Sequence, residues 1–286
     1  MQGIIDRRRV ARSFARAAAD YDSVAALQRE AAARLDAHLN FTRITPRRML
    51  DIGCGTGFLG RLLRRRFPKA ELVALDLVPE MINRCRRSLG RGMPWRPKRR
   101  FLCGDATALP LAGESFDLVA SNLTMQWIDR PERMVREMRR VLAPGGLLLF
   151  STFGGETLTE LRAAFTAVTP GRPAPLLSFP DVMALGDLLQ RQAVETVVTD
   201  SDRITRTYPD VTALVRELKA MGASSSAIRH RGGGLGGRGL LRRLSASYPT
   251  EEEGGIRATF EILYGQAWYR PDPKREGVIP IMPLEG

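Results

Sequence analysis

The segment Met49-Leu50-Asp51-Ile52-Gly53-Cys54-Gly55-Thr56-Gly57-Phe58-Leu59-Gly60 constrains the fold more than any other part of the chain. An apolar run carrying one acid leads into glycines at alternate positions, and an amphipathic run, Phe58 to Phe67, follows. That is a strand, a tight turn and a helix. Glycine at the carboxyl end of a parallel strand lets a ligand approach the backbone with no Cβ in the way. The alternation then continues. Strands are predicted at Arg48–Ile52, Glu71–Leu75, Arg100–Cys103, Ser115–Ser121 and Leu147–Phe153. Helices are predicted at Phe58–Phe67, Pro79–Leu89 and Pro131–Leu142, the last stopped by Ala143-Pro144-Gly145-Gly146. This βαβα order specifies an α/β fold, a doubly wound and mostly parallel sheet with ligands at the carboxyl ends of its strands.

Two chemistries share the glycine motif. Gly55-x-Gly57-x-x-Gly60 satisfies the dinucleotide fingerprint. Gly53-x-Gly55-x-Gly57 preceded by Asp51 resembles motif I of the class I S-adenosylmethionine-dependent methyltransferases. The acid favours the second reading: a pyrophosphate wants backbone N–H groups and a helix N-terminus with no anion beside them, whereas an ammonium group wants a carboxylate. On this motif alone the dinucleotide reading stays open, and Asp76, closing the second strand, suits ribose hydroxyls under both. Gly104-Asp105-Ala106 ends the third strand and Ser121-Asn122-Leu123 the fourth. Agreement across these strand ends favours the methyltransferase. The resemblance implies S-adenosyl-L-methionine as cofactor, held by Asp51, Gly53, Gly55, Gly57, Asp76, Leu77, Asp105, Ala106 and Asn122. Asp105 and Ala106 would face adenine, and Asn122 the methyl-donor pocket.

Further segments narrow the resemblance: Phe14-Ala15-Arg16-Ala17-Ala18-Ala19-Asp20-Tyr21-Asp22, Ser121-Asn122-Leu123-Thr124-Met125-Gln126-Trp127, and Ser151-Thr152-Phe153-Gly154-Gly155-Glu156-Thr157-Leu158-Thr159-Glu160-Leu161-Arg162. Together they resemble the malonyl-acyl-carrier-protein O-methyltransferases of biotin synthesis over most of the chain. That resemblance implies a seven-stranded Rossmann-like methyltransferase sheet (residues 46–286), an N-terminal helical lid (1–45) and a substrate-covering helical insertion at about 170–250. It implies a cytoplasmic enzyme that methylates the free carboxylate of a malonyl group on an acidic acyl carrier protein. A mitochondrial respiratory complex I assembly factor, reported to hydroxylate an arginine, shares the same features and is one alternative; another small-molecule methyltransferase is the other. A carboxylate nucleophile is already ionised at neutral pH, so the reaction needs positioning and no general base. Tyr21, Gln126, Trp127 and Arg203 are the positioning candidates, and none is assigned as a certain catalytic residue. Arg229, Arg231, Arg238, Arg242 and Arg243 are the candidates for steering the carrier.

Composition limits the other classes. The 286 residues, 44% of them hydrophobic, suffice for one large α/β domain with an insertion. A net charge of +13 attracts polyanions. The fourth strand, however, ends in Ser121-Asn122-Leu123-Thr124, without the Asn-Pro-Pro-Tyr type of motif that receives a flipped base, so a nucleic-acid substrate is not expected. No apolar run approaches the roughly 20 residues of a membrane span, and none is expected. Met1–Arg9 has no apolar signal region, and Asp6, Asp20 and Asp22 fit a transit peptide poorly. Cys54, Cys85 and Cys103 lack metal-ligand spacing and His38 and His230 are the only histidines, so no metal site is expected. Cys54 reads as filler between glycines rather than a nucleophile, and the chain as a monomer. Residues 4–39 read as two helices, one carrying Val10 and Phe14, the other Leu27, Ala31 and Leu35. The pattern leaves lid and core packing equally open for them. Beyond the fifth strand the pattern predicts a helix at Asp181–Gln190, a strand at Val194–Asp200, extended chain at Ile204–Tyr208, a helix from Pro209-Asp210 to Met221, and a loop at Ser224–Gly239. A last, antiparallel strand is predicted at Ile256–Tyr264.

Overall fold

The computed structural model describes residues 5–90, 98–172, 174, 176–192, 194–220 and 237–269. Its strands are β1 (Arg48–Ile52), β2 (Glu71–Asp76), β3 (Arg99–Cys103), β4 (Phe116–Asn122), β5 (Leu142–Phe153), β6 (Glu195–Tyr208) and β7 (Ile256–Trp268). They form one sheet in the order β3-β2-β1-β4-β5-β7-β6. The first five strands are parallel, and β7 runs antiparallel between β5 and β6. Strand progression reverses at β1, which pairs with β2 on one side and β4 on the other. Such a reversal opens a crevice at the carboxyl ends of the strands, and the glycine loop follows β1 into it.

Ten α-helices are described: α1 (Arg7–Ala17), α2 (Tyr21–Val24), α3 (Ala26–His38), α4 (Phe58–Arg66), α5 (Pro79–Leu89), α6 (Pro131–Val141), α7 (Thr159–Val168), α8 (Val182–Gln190), α9 (Val211–Ala220) and α10 (Arg238–Ser247). Local chemistry sets several of their starts. Proline occupies the first turn of α5 and α6, where no N–H is needed. Asp181 accepts the Ala184 N–H at 2.7 Å and Asp210 the Ala213 N–H at 2.7 Å. Each such cap contributes about 1 kcal/mol. One apolar layer joins Leu27 and Leu35 of α3 to Leu63, Leu161, Leu214 and Leu244 of α4, α7, α9 and α10. The opposite layer joins Met134 and Met138 of α6 and Leu185 and Leu189 of α8 to Leu50 and Leu148.

Three sequence boundaries move. β5 begins at Leu142 rather than Leu147, because Ala143-Pro144-Gly145-Gly146 ends the helix but stays extended. Leu142 pairs with Phe116, and a register shift before Leu118 absorbs the irregularity. Val194–Asp200 and Ile204–Tyr208 fuse into the single 14-residue β6. Its polar middle, Asp200-Ser201-Asp202-Arg203, looks like a break but is accommodated on an edge strand, where Asp200, Ser201 and Arg203 are exposed. β7 runs on to Trp268, beyond the predicted end at Tyr264. The expected loop at 224–239 lies mostly outside the described residues.

Gly265 marks the tightest packing inside the sheet. It pairs with Phe150 across β5 and β7, and a Cβ there would lie 2.5 Å from the buried Phe150 ring. Gly265→Ala is expected to lower unfolding free energy by about 1–3 kcal/mol in a urea titration, the cost of overpacking a full core. Gly55→Ala, where a Cβ meets nothing within 4 Å, has no such clash.

Candidate active site

The crevice beside β1 is a cavity of about 970 Å³ including its open mouth. Its base is the glycine loop. Gly53 and Gly55 have φ of +68° and +52°, a region that side chains rarely adopt. Gly53 packs directly on the Thr124 side chain, with a hypothetical Cβ 2.8 Å from the Thr124 Cβ. Gly55 presents bare backbone at the cavity wall. Gly57 is set back from the wall and starts α4, beside the Cys85 sulfur.

Asp51 is the outlier of the core. It sits in β1 with 1% of its surface exposed, and neither carboxylate oxygen has a hydrogen-bond partner. Burial first, then the charge of Asp76, pushes its pKa up to about 7; the Gly60 N–H favours the ionised form without closing a hydrogen bond. A buried unpaired carboxylate is costly unless a cation meets it. The ammonium of an amino-acid moiety, placed against the cavity wall to which Asp51 contributes, fits that requirement.

Asp76 is held differently. Its Oδ2 accepts the Gly55 N–H and its Oδ1 the Val78 N–H, both at 2.9 Å. Burial raises its pKa, and the Val78, Gly55 and Leu77 N–H groups oppose the rise. Carboxylate oxygens have further lone pairs, so this anchored group can still accept ribose hydroxyls. Asp105 Oδ1 accepts the Thr107 N–H at 3.0 Å and hydroxyl at 2.9 Å, while its Oδ2 pairs with Arg7 of α1. Leu77 and Ala106 complete this side of the wall.

At the opposite end, Asn122 is anchored through both halves of its amide. Its Nδ2 donates to the Gln28 carbonyl of α3 at 3.1 Å, and its Oδ1 accepts the Ser151 hydroxyl at 2.9 Å. The residue pins the end of β4 to α3 and β5, and Leu123 beyond it takes a φ of +47°. Above it stands an aromatic cluster. The Phe14 ring lies edge-on to Trp127 at 5.3 Å and to Tyr21 at 6.1 Å. Burial, then Asp76 and Asp22, raise the Tyr21 pKa beyond the ordinary phenol range, so it stays a neutral phenol and is no base. Cys54 also lines the cavity; the neighbouring Cys85 thiol and burial raise its pKa, which agrees with filler rather than nucleophile.

Asp51, Gly53, Gly55, Asp76, Leu77, Asp105, Ala106, Asn122, Tyr21 and Trp127 thus share one cavity. Other candidates stand elsewhere. Gln126 is turned inward by the short 3₁₀ turn Met125–Trp127; its Nε2 donates to the Leu123 carbonyl at 2.6 Å and its Oε1 accepts from Thr152. It supports the wall from behind. Arg203 lies on edge strand β6 and pairs with Glu156, both exposed, so its charge is balanced away from the cavity. Arg242 and Arg243 are exposed on α10, which packs on α7 and α9, and neither lines the cavity. Arg238 starts that helix, and Arg229 and Arg231 lie outside the described residues.

The structure adds wall residues that sequence reasoning missed: Arg7, Val10, Gln28, Thr56 and Thr124. Phe14, which opens the segment Phe14–Asp22, lines the wall as well. Arg7 gave no signal within its run of three arginines. The N-terminal helices divide the work that their pattern left open: α3 packs in the main core, and α1 lays Arg7, Val10 and Phe14 over the cavity. Among the described residues, no cluster of three His, Cys, Asp or Glu side chains could hold a metal ion, and no helix is long and apolar enough to cross a membrane.

The comparisons with known proteins agree with this geometry. A methyltransferase-domain family model matches residues 50–150. A malonyl-acyl-carrier-protein O-methyltransferase of Laribacter hongkongensis is 42% identical over 271 residues, covering 92% of this chain and 89% of that protein. One from Halorhodospira halophila is 43% identical over 267 residues, covering 92% and 88%. In fold, the chain resembles the crystal structure of the YcgJ protein of Bacillus subtilis, with a TM-score of 0.58 at 15% identity over 83% of this chain and 98% of that one. It also resembles phosphoethanolamine N-methyltransferase 2 of Haemonchus contortus in complex with S-adenosyl-L-methionine, with a TM-score of 0.51 at 17% identity over 84% and 53%.

Proposed function

The chain belongs to the malonyl-acyl-carrier-protein O-methyltransferases, enzymes dependent on S-adenosyl-L-methionine, and from that premise we propose how its residues serve transfer of a methyl group to the free carboxylate of a malonyl thioester. The observation that supports the reading best is Asp51, a buried carboxylate with no partner beside bare glycine backbone. Asp51 holds the ammonium of the cofactor, Asp76 its ribose hydroxyls, and Asp105 with the Ala106 backbone its adenine. The cofactor supplies an activated methyl group on a sulfonium.

The protein's task is then to orient the substrate carboxylate and exclude water. Orientation of reacting groups can supply roughly 7–11 kcal/mol of the barrier. The carboxylate is ionised at neutral pH, so no base is required, and Tyr21 serves as a neutral hydrogen-bond donor. Trp127 and Phe14 keep the reacting end dry, with α1 as the lid. The acceptor is carried by an acidic acyl carrier protein, and the enzyme works as a cytoplasmic monomer. Esterification removes the malonyl charge, which lets chain-extending enzymes accept the group on the way to biotin.

Intact-mass analysis tests this reading. Malonyl-carrier protein incubated with the enzyme and S-adenosyl-L-methionine is expected to gain one methylene, removable by an esterase. Acetyl-carrier protein should gain nothing. No gain on the malonyl form, with cofactor binding intact, would sink the substrate assignment.

A further inference from the structure

We propose that the acidic carrier docks on the arginine-bearing face of α4, next to the cavity mouth, rather than on α10. The proposal rests on the carrier-protein reading above and adds the surface. Phe58, the first residue of α4, lines the cavity, and two guanidinium groups lie over its ring. Arg29 of α3 lies 5.4 Å from the ring centroid and Arg61 of α4 lies 4.9 Å from it. Arg29 follows Gln28, whose carbonyl accepts the Asn122 amide at the reacting end of the cavity. The positive charge therefore begins where a substrate would enter.

From there it continues along α4. Arg61 also lines a second recess, with Arg64, Arg65, Ser88 and Arg99. Among the described residues, no carboxylate lines that recess. The arginines there interact with backbone and hydroxyl oxygens: Arg61 with Ser88, Arg64 with the Ala70 carbonyl at 2.8 Å, and Arg99 with the Gly90 carbonyl at 2.9 Å. The bonds of Arg61 to Ser88 and of Arg99 to the Gly90 carbonyl fix those two side chains without neutralising them. Arg99 Nε is buried with no hydrogen-bond partner. Phe58 and Arg65 are seven helical steps apart, a span of about 10 Å, so the row is short enough to be covered by one face of a small acidic protein. The contrast with α10 is geometric: Arg242 and Arg243 are exposed too, but neither lines the cavity.

Charges at the rim of an interface act mainly on encounter and are screened by salt. The test measures docking and chemistry separately. Docking is read as the fluorescence anisotropy of labelled malonyl-carrier protein at low salt. Chemistry is read as methylation of malonyl-N-acetylcysteamine, a short neutral-arm thioester that carries no protein. Arg65→Glu is expected to weaken carrier binding about five- to tenfold and to flatten its salt dependence, with turnover of the short thioester unchanged. Arg61→Glu/Arg65→Glu should weaken binding further. Arg242→Glu/Arg243→Glu should leave binding as it is. Equal carrier affinity for wild type and Arg65→Glu, a loss confined to the α10 variant, or no carrier binding by the wild type would each overturn the docking surface. Failure of short-thioester methylation with carrier binding intact would count against the reaction reading alone.

Discussion

Asp51→Asn is expected to weaken S-adenosyl-L-methionine binding at pH 7.5 by about a hundredfold, with little loss of fold. Breaking a buried ion pair costs about 3 kcal/mol or more, which is a factor of about 100 in affinity. The wild type should carry its own signature. With a pKa of about 7, Asp51 is largely protonated in the ligand-free protein below neutrality. The cofactor's ammonium requires the ionised form. Affinity should therefore rise about twentyfold between pH 5.5 and 7.5 and then level off. Asn cannot titrate, so the variant should show a flat profile over that range. The stability of the ligand-free protein runs the other way. A carboxyl group whose folded pKa is raised stabilises the fold least when ionised, so stability contributed by this site is lost as pH rises from about 4 through about 7. The thermal shift produced by the cofactor should grow over the same interval. Isothermal titration at four pH values, with the Asn variant in parallel, checks both signs. A wild-type profile as flat as the variant's would remove Asp51 from the ammonium site.

Gly53→Ala is the second large effect, and its origin is steric. Alanine at a φ of +68° costs about 1–2 kcal/mol. The new Cβ would also lie 2.5 Å from the Thr124 Cγ2 and 2.8 Å from its Cβ. Rotation about χ1 moves Cγ2 but leaves the Thr124 Cβ where it is, so the loop and the turn after β4 must separate. Cofactor affinity is expected to fall at least about a hundredfold, together with a lower melting temperature. The double variant Gly53→Ala/Thr124→Gly removes the opposing side chain and should recover a substantial part of both losses, a coupling that independent sites would not show. A single variant that binds the cofactor as the wild type does would mean the cradle is not set by this contact.

The parts of the molecule that were legible in the sequence share a physical cause. A parallel strand covered on both faces must be a short apolar run, so β1 and β2 stood out, and an acid at Asp51 inside such a run demanded a reason. Strand-end residues were legible because topology alone sends them to one crevice. What failed to show were relations set by direction rather than position. Gln126 and Trp127 are neighbours, yet the 3₁₀ turn sends one into the core and the other to the cavity wall. Arg203 looked placed for an anion, but whether an edge-strand cation faces a cavity or an exposed glutamate depends on the sheet's outer order. That order is decided by β7, inserted between β5 and β6. Arg7 could be recognised only once α1 was laid across the sheet to reach Asp105.

The insertion of β7 also dictates an order of assembly. During synthesis, β1 to β5 can pair as soon as they leave the ribosome, but the open edge of β5 along Leu147–Phe153 stays bare until Ile256–Trp268 arrives. β6, already made, pairs among the described residues with that same strand alone. The nascent chain thus carries two unsatisfied edges at once, the condition under which strands recruit foreign partners. A single late segment closes both. Folding yield should then depend less on the glycine motif, built early, than on how promptly this last strand zips into the gap that waits for it.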